Sequence, residues 1–520
     1  MEASEKIQEE VKLSIISLIR RVGLFLTIVC VLGEVLFFFS PANLCGCLMC
    51  MTSWLVFSNL FLRQNIIIRH PFSWLFFLSM FLYRYLPLIV TLSERKPITY
   101  GFENPYVTFI GETLLFLTQS CAFYLVCYKS NSISTSLRHL LAKMRFYCSF
   151  NKLTLWIVGL IGLTAQLVCY LSGRAEFGYV GLKFLAPVGK LQYIPLIMFF
   201  PSLYRVKGEA PSKSTLWLYL ILLEFVALMG NSRETLIAPA FCSLILLFLD
   251  CVVRKIDIKK YVFSYRLPLA CVLSILSFTA FSLFSDSMLS NRAIRDEVSA
   301  VELLQKQMDY KTDSEVSEKQ NDLIPYSEAW TERYVDNFIL NRYCNMRITD
   351  ETMHYAMLIE GWNFLGNPQI RDEFFSKLFT SLPTPVLDAL SINIDKNELL
   401  FSEGDFLVAT ATNTAIHSGY RVASHLALGL AGFGILYFPI QFFVVLLVFF
   451  LVDSLSTIKP SITYSIVGLS MAFELTGRFR NSNGMLEDAF FLFRTFWQTI
   501  LINYIVLVLA RLTSIFLVRK

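Results

Sequence analysis

Apolar runs of about 20 residues recur along most of the chain, and they constrain its fold more than any other feature. A run of this length crosses the hydrocarbon core of a bilayer as a single helix. Hydrophobic residues make up 55% of the sequence and charged residues only 16%, which excludes an ordinary soluble domain. A transmembrane barrel would instead alternate over segments of about 10 residues. We therefore predict an all-α, polytopic membrane protein.

The apolar runs predict about twelve transmembrane helices. They cover residues 22–40, 43–62, 71–92, 106–128, 153–172, 188–204, 215–230, 235–253, 267–285, 433–453, 461–476 and 487–513. The first run lacks a small-residue cleavage site, so we interpret it as a retained span. Three regions follow: a membrane region (1–285) with about nine spans, a large loop (286–418), and a re-entry helix with about three spans (419–520).

The large loop carries most of the acidic charge. Residues 286–405 hold 22 of the 40 acidic residues but only 11 of the 45 basic ones, for a net charge of −11 against +16 elsewhere. Lysines and arginines concentrate in the short connections on the other side. The positive-inside rule then predicts two cytoplasmic termini and an external loop. Aromatic residues and helix-compatible spacing at 326–343 and 351–365 predict a partly helical cap.

The segment 422–453 admits two topologies. Two crossings around Pro439 would leave Arg519 and Lys520 outside. A re-entrant or interfacial helix at about 419–431, broken at residues 432–434 before a true span, keeps the C-terminus inside. The second topology agrees with the charge rule, and we favour it.

Four arginines are exceptions to that rule because they lie on the external side. Arg233 opens a predicted helix after two N-cap candidates, and a helix N-terminus beside a guanidinium suits an anion. Arg478 and Arg480 lie on a second external turn, and Arg494 follows inside the last span. The alternatives are a snorkelling anchor for Arg233 and an ion pair with Glu474 or Glu487 for Arg494.

Polar residues also cluster where the loop re-enters the membrane. His417, Tyr420, Arg421 and His425 fall within nine residues. Histidine is the natural proton carrier near neutral pH. His425 follows Arg421 by four residues, so we expect both on one face of a short helix. The alternative is a set of interfacial polar residues without a chemical task.

Charged residues within the predicted spans suggest internal ion pairs or a polar pathway. Arg84 and Glu112 are one candidate pair. The cysteines of LCGCLMC (44–50) lie mid-span without a neighbouring histidine or acid, so we interpret them as small membrane residues. The sequence has no nucleotide-binding or metal-binding motif. An external arginine site instead suits a lipid pyrophosphate, which brings its own leaving group.

The chain resembles the Wzy-type polymerases, which join the oligosaccharide repeat units of bacterial O-antigens and capsules. The shared features are about twelve spans, internal termini, a Gly-x-x-Arg turn (230–233), one large loop in the second half, and a glycine-rich re-entry stretch (428–434). Some relatives carry an arginine followed after ten residues by a glycine, which is the spacing of Arg421 and Gly432. The resemblance in architecture covers the whole chain, whereas the resemblance in sequence motifs is limited to these short stretches.

This resemblance implies a metal-independent glycosyltransferase of lipopolysaccharide or capsule synthesis, in the bacterial inner membrane with a periplasmic loop. Its donor and acceptor would be undecaprenyl-pyrophosphate-linked glycans. A chain-length regulator would be a further partner, and neither a cofactor nor nucleic acid is implied. The implied catalytic residues are His425, Arg421 and Arg233. The implied pyrophosphate ligands are Arg233, Arg478, Arg480 and Arg494. The implied acceptor-binding residues are His417, Tyr420, Glu403 and Asp405.

Three alternative functions remain open at this point. An O-antigen ligase would use similar external arginines and a histidine near its loop. A transporter or flippase for lipid-linked sugars would favour repeated halves, and no internal repeat is visible. A receptor-like structural protein would not need the arginines for any reaction.

The predicted orientation can be tested by cysteine labelling in intact cells. We expect a cysteine replacing Lys311, in the acidic loop, to react with a membrane-impermeant maleimide. A cysteine replacing Lys143, in a basic connection, should react only after the cells are permeabilised. The opposite labelling pattern would contradict this orientation and place the acidic loop in the cytoplasm.

Overall fold

A computed structural model describes most of the chain. The described residues are 14–129, 132–171, 185, 187–209, 211–229, 233–256, 334–336, 340–341, 344–359, 364–382, 384–392, 394–396, 398–399, 401–416, 421–457, 462–478 and 484–519. The predicted span 267–285 and most of the predicted loop helix 326–343 lie outside them.

Helices dominate both membrane regions. The N-terminal helices are α1 (Ile15–Phe37), α2 (Pro41–Val56), α3 (Gln64–Arg69), α4 (Pro71–Ser93), α5 (Pro105–Tyr128), α6 (Ser132–Lys143), α7 (Lys152–Leu171), α8 (Lys213–Met229) and α9 (Arg233–Arg254). The loop helices are α10 (Met346–Leu358), α11 (Pro368–Thr380), α12 (Thr384–Ala389) and α13 (Glu403–Thr412). The C-terminal helices are α14 (His425–Phe433), α15 (Tyr437–Asp453), α16 (Ile466–Ser470), α17 (Ala472–Gly477), α18 (Met485–Phe490) and α19 (Phe496–Arg519).

Shorter elements join these helices. The π-helical turn Phe57–Phe61 continues α2, and a second π-helical turn, Phe491–Thr495, connects α18 to α19. Two 3₁₀ helices span Lys190–Phe199 and Gly434–Leu436. A small antiparallel hairpin pairs β1 (Ser456–Thr457) with β2 (Thr463–Tyr464).

Seven helical stretches among the described residues are long and apolar enough to cross a membrane. They are Ile15–Phe37, Pro41–Phe61, Pro71–Ser93, Pro105–Tyr128, Lys152–Tyr170, His425–Asp453 and Met485–Leu517. The prediction of an all-α membrane protein is confirmed at this level. The full count of twelve crossings stays a prediction.

Two predicted spans are not continuous α-helices. Residues 188–204 contain a ten-residue 3₁₀ helix with Pro195 inside it, and proline removes a backbone donor. Residues 461–476 contain the short helices α16 and α17 instead of one continuous helix. Every residue of α16 is buried in the protein. Irregular backbone is tolerated at membrane depth when protein surrounds it.

The predicted break in the re-entry helix is confirmed and its predicted start was wrong, while the choice between the two topologies stays a prediction. Gly434 ends α14 with φ 56°, a conformation that favours glycine. The helix begins at His425 because Ser424 caps it, accepting a hydrogen bond from the Ala427 N–H at 3.1 Å. Arg421 therefore precedes the helix, and it does not share a helical face with His425 as expected.

The loop helices dock directly on α14. Gly366 has φ 74°, and a Cβ atom there would collide with the backbone of Gly432. The Asn367 N–H donates to the Ala431 carbonyl at 2.7 Å. All of α14 except Leu428 is buried. The re-entry helix is thus enclosed by protein.

A buried ion pair ties α4 to α5. Arg84 Nη2 lies 2.8 Å from Glu112 Oε2, and the two side chains are 0% and 1% exposed. Arg84 also donates to the Met80 carbonyl at 2.8 Å and to the Glu112 carbonyl at 3.1 Å. The predicted pair is confirmed, and its extra hydrogen bonds compensate the guanidinium for lost water.

A second polar cluster lies at the other end of the bundle, where α15 ends. Asp453 accepts from His70 Nδ1 at 2.6 Å and from Arg138 Nη2 at 2.6 Å. Arg138 Nε also donates to the Ser456 carbonyl at 2.7 Å. This cluster fixes α4 and α6 to the C-terminal region, far from the loop helices.

The ion pair gives a stability prediction. Glu112→Leu should leave the Arg84 charge buried without its partner, and it should cost about 3–5 kcal/mol of stability. The double variant Arg84→Met with Glu112→Leu should recover most of the loss, since it removes both charges. Thermal unfolding of the detergent-purified protein measures both. A Glu112→Leu protein as stable as wild type would contradict this account.

Candidate functional site

Helix α10 of the loop is anchored to the first turn of α5. Asp350 accepts hydrogen bonds from the Glu103 N–H (2.6 Å), the Asn104 N–H (3.1 Å) and Thr108 Oγ1 (2.9 Å). A carboxylate at a helix N-terminus satisfies free amide donors and complements the helix dipole. Burial raises the Asp350 pKa, and these hydrogen bonds oppose that rise. The end of α5 is therefore closed by the loop.

The same helix reaches the buried ion pair and the re-entry helix. Thr349 Oγ1 donates to Glu112 Oε1 at 3.4 Å and is hydrogen-bonded to the Tyr83 hydroxyl. One turn later, Thr352 Oγ1 is 2.8 Å from Ser424 Oγ, the cap of α14. A single helix thus connects the α4–α5 pair to the start of α14.

Arg421 lies at that point and is held by Asp405. Its Nη1 atom is 3.5 Å from Asp405 Oδ1, and its side chain is 19% exposed while that of Asp405 is fully buried. Ser402 Oγ donates to Asp405 Oδ2 at 2.7 Å and caps α13. This burial argues against the predicted role of Asp405 in binding the acceptor. Asp405 instead positions the Arg421 guanidinium.

Glu351 was missed by the sequence reasoning, and it follows Asp350 on α10. Tyr355 experiences the charges of both Arg421 and Glu351. Burial raises the pKa of Glu351 to about 7, with Arg347 acting in the opposite direction. The i, i+4 spacing of residues 347, 351 and 355 was the available signal. A carboxyl with this pKa can exchange a proton near neutral pH.

Glu403 lies in an apolar cavity of about 20 Å³, which has room for roughly one water molecule. Leu428, Phe433 and Met485 form part of the wall. No described residue hydrogen-bonds the buried Glu403 Oε2 atom. Burial, aided by the nearby Glu373, raises the Glu403 pKa well above its usual range. The side chain therefore fits a neutral proton donor better than a general base.

Glu373 itself is neutralised by a buried lysine. Lys377 Nζ is 2.8 Å from Glu373 Oε1 and donates to the Phe401 carbonyl at 2.8 Å. The ammonium group also lies 4.5 Å from the centre of the Phe401 ring. Lys377 therefore pairs with Glu373. Among the described residues, no cation bonds directly to the neighbouring acid, Glu403.

Arg478 is enclosed beside the first turn of α18. Its Nη2 donates to the Glu487 carbonyl at 3.0 Å, and Nη1 is 3.8 Å from Glu474 Oε1. The guanidinium carbon lies 4.1 Å from the centre of the Phe491 ring. Lys190 Nζ forms an ion pair with the other carboxylate oxygen of Glu474 at 2.7 Å. The sequence predicted an exposed external turn, but this arginine is only 10% exposed.

These groups belong to one region, which we call the junction cluster: Glu351, Glu403, Arg421, His425 and Arg478. His425 is buried and lies within electrostatic range of Arg84 and Arg478. Glu403 Oε2 lies 3.4 Å from the Cβ position of Gly484, one residue before α18. The cluster brings guanidinium groups, a histidine and titratable acids together where loop and membrane helices meet.

The other predicted site residues are not joined to this cluster. Arg494 is exposed on the π-helical turn, and no described acid forms an ion pair with it. Its position fits a snorkelling side chain better than a phosphate ligand. Arg233 does open α9, as predicted, and only its backbone is described. Arg480, His417 and Tyr420 lie outside the described residues.

The raised pKa of Glu351 gives a pH-dependent stability prediction. A carboxyl whose pKa rises on folding stabilises the protein at acidic pH, and that contribution is lost as the pH rises through about 7. Thermal stability should therefore fall less between pH 4.5 and pH 8 in Glu351→Gln than in wild type. The exposed Glu398→Gln is the matched control and should follow the wild-type curve. Identical curves for Glu351→Gln and wild type would refute the assignment.

No family model, curated protein or solved structure matches the chain. Its function is therefore inferred from the residues and their geometry.

Proposed function

We propose that the chain is a membrane glycosyltransferase that polymerises oligosaccharide repeat units linked to undecaprenyl pyrophosphate. The observation that carries the proposal is the enclosure of Arg421 and Arg478 where the loop helices meet the membrane helices. Two guanidinium groups in a partly dry site suit the charge of a pyrophosphate. The lipid tail of such a substrate would lie among the apolar helices, and its glycan would extend toward the loop.

The reaction needs a leaving group held by positive charge. The acceptor hydroxyl attacks the anomeric carbon of the donor sugar, and the bond from that carbon to the pyrophosphate oxygen breaks. Negative charge then grows on the pyrophosphate, where Arg421 and Arg478 stabilise it more strongly than in the ground state. Asp405, Glu474 and the Phe491 ring hold these arginines in place.

Proton transfer completes the chemistry. The acceptor hydroxyl loses its proton to His425 or to Glu351, whose residue types can accept one. The raised pKa of Glu351, about 7, favours uptake of a proton near neutral pH. Glu403 lines a cavity with room for about one water molecule, so it takes no direct part in the transfer. The base then releases this proton to solvent, and the enzyme returns to its starting protonation state.

The activity can be tested with purified protein and lipid-linked repeat units. We expect Arg421→Ala and Arg478→Ala each to lower the rate of chain lengthening by about a hundredfold, as for the loss of one charge-stabilising contact. Arg494→Ala is the matched control, because it removes an exposed arginine from the same C-terminal region, and it should lengthen glycans at close to the wild-type rate. Arg478→Lys checks folding because it retains the charge.

Three results would change the proposal. Wild-type glycan lengths in both alanine variants would refute the arginine site. Transfer of finished glycan to a lipid A-core acceptor, without lengthening, would identify a ligase. In cells, loss of a polymerase leaves single repeat units on the core, whereas loss of a ligase leaves none. Movement of lipid-linked sugar across vesicles without lengthening would indicate a transporter.

A further inference from the structure

A separate cavity lies at the end of the bundle opposite the loop helices. Helix α5 starts beside Asp350 of the loop and runs 24 residues, about 36 Å, to the end that α6 and α7 follow. There, between the start of α7 and the last turns of α19, a cavity open to solvent has a volume of about 270 Å³. That volume holds about nine water molecules, far more than the cavity beside Glu403.

The cavity is lined by cations from three separate segments. Arg145 precedes α7, Lys207 follows the 3₁₀ helix, and Arg511 belongs to α19. No aspartate or glutamate lines it. Among the residues that the structure describes, none of the three forms an ion pair, and Glu209 pairs with Lys152 instead. Three cations that converge on one space without an acid make a strongly positive cavity.

Hydrogen bonds fix the backbone of two of these residues beside the cavity. The Lys207 N–H donates to the Phe150 carbonyl at 2.8 Å, which fixes this segment next to the start of α7. Arg145 has φ 63°, in the left-handed region that costs most residues conformational energy. Its N–H donates to the Ala142 carbonyl at 3.0 Å, so the turn is well defined.

Hydroxyl groups complete the lining. Thr154 Oγ1 donates to Ser514 Oγ at 2.9 Å, joining α7 to α19 at the cavity. Ser149 lies in the connection before α7 and also lines the space. The Thr154 and Ser514 hydroxyl hydrogens are used within this network, because Ser514 Oγ donates to the Arg511 carbonyl at 2.9 Å. The cations and the Ser149 hydroxyl are therefore the groups that phosphate oxygens would contact. The start of α7 adds the positive end of a 20-residue helix to them.

We propose that this cavity binds a phosphate-bearing anion, with Arg145, Lys207 and Arg511 as its charged ligands. The phosphate comes either from an anionic lipid headgroup or from a soluble phosphate compound. The position of Ile515 and Arg511 on α19, at the end of the bundle, allows entry from the bilayer surface as well as from solution. The site is independent of the junction cluster and of the reaction proposed there.

The test is calorimetric titration of the full-length protein in neutral detergent. The probes are inorganic phosphate, short-chain phosphatidylglycerol and short-chain phosphatidylcholine of the same chain length. We expect saturable binding of phosphatidylglycerol or inorganic phosphate, and no binding of phosphatidylcholine. Binding of phosphatidylglycerol alone assigns the site to a lipid headgroup, and binding of inorganic phosphate assigns it to soluble phosphate compounds.

Variants make the test specific to the cavity. The triple variant Arg145→Gln, Lys207→Gln and Arg511→Gln should lose about a hundredfold in affinity. The control variant Lys129→Gln, Lys143→Gln and Lys213→Gln removes three exposed cations that do not line the cavity, and it should bind as wild type does. Arg511→Gln alone replaces the triple variant if that protein does not fold.

The outcomes that overturn the proposal are distinct. They are the absence of saturable binding of both anions, equal binding of phosphatidylglycerol and phosphatidylcholine, and an equal loss of affinity in the control variant. None of these measurements involves glycan transfer. Failure of this site and failure of the proposed activity are therefore distinguishable.

Discussion

The junction between loop and membrane depends on the buried pair between Arg84 and Glu112. A charge within a bilayer is costly unless a partner and further hydrogen bonds compensate it, and Arg84 has both. Glu112 is shared, because Thr349 of the loop donates to its other oxygen. The pair therefore joins two membrane helices and also provides the polar group that the loop contacts. An apolar pair of the same size would stabilise the helices without specifying where the loop docks.

From this pair the remaining contacts of the junction follow in order along α10. Thr349 contacts Glu112, Asp350 closes the first turn of α5, and Thr352 bonds the cap of the re-entry helix. Arg421 lies just before that cap and is oriented by Asp405. The arginine that the proposed function uses is thus positioned through a series of hydrogen bonds that begins inside the membrane. This arrangement explains why the polar groups form one region although they come from distant parts of the sequence.

The sequence predicted what depends on composition and local pattern. The apolar runs predicted the helical spans, and a glycine predicted the break at Gly434. A capping position predicted the start of α9 at Arg233. What depends on tertiary contact was not predictable. Residues 188–204 and 461–476 were as apolar as true spans, yet they form short helices inside the protein. Asp405 and Arg421 are separated by 16 residues, so local periodicity could not identify Asp405 as the positioning group. Glu351 was one of 22 loop acids, and only its neighbours distinguish it.

The bonds at the two ends of the bundle also bear on when the molecule can become native during synthesis. Asp350 is 247 residues from its partner Glu103, and Asp453 is 383 residues from His70. Helices α4 and α5 therefore enter the membrane long before the ribosome has made the groups that satisfy them. Until then Glu112 lacks the hydroxyl of Thr349, and His70 lacks its carboxylate. Quality-control proteases that recognise exposed polar groups in the membrane would encounter a nascent or truncated chain in that state. Completion of the C-terminal half supplies the partners that these buried polar groups lack until then.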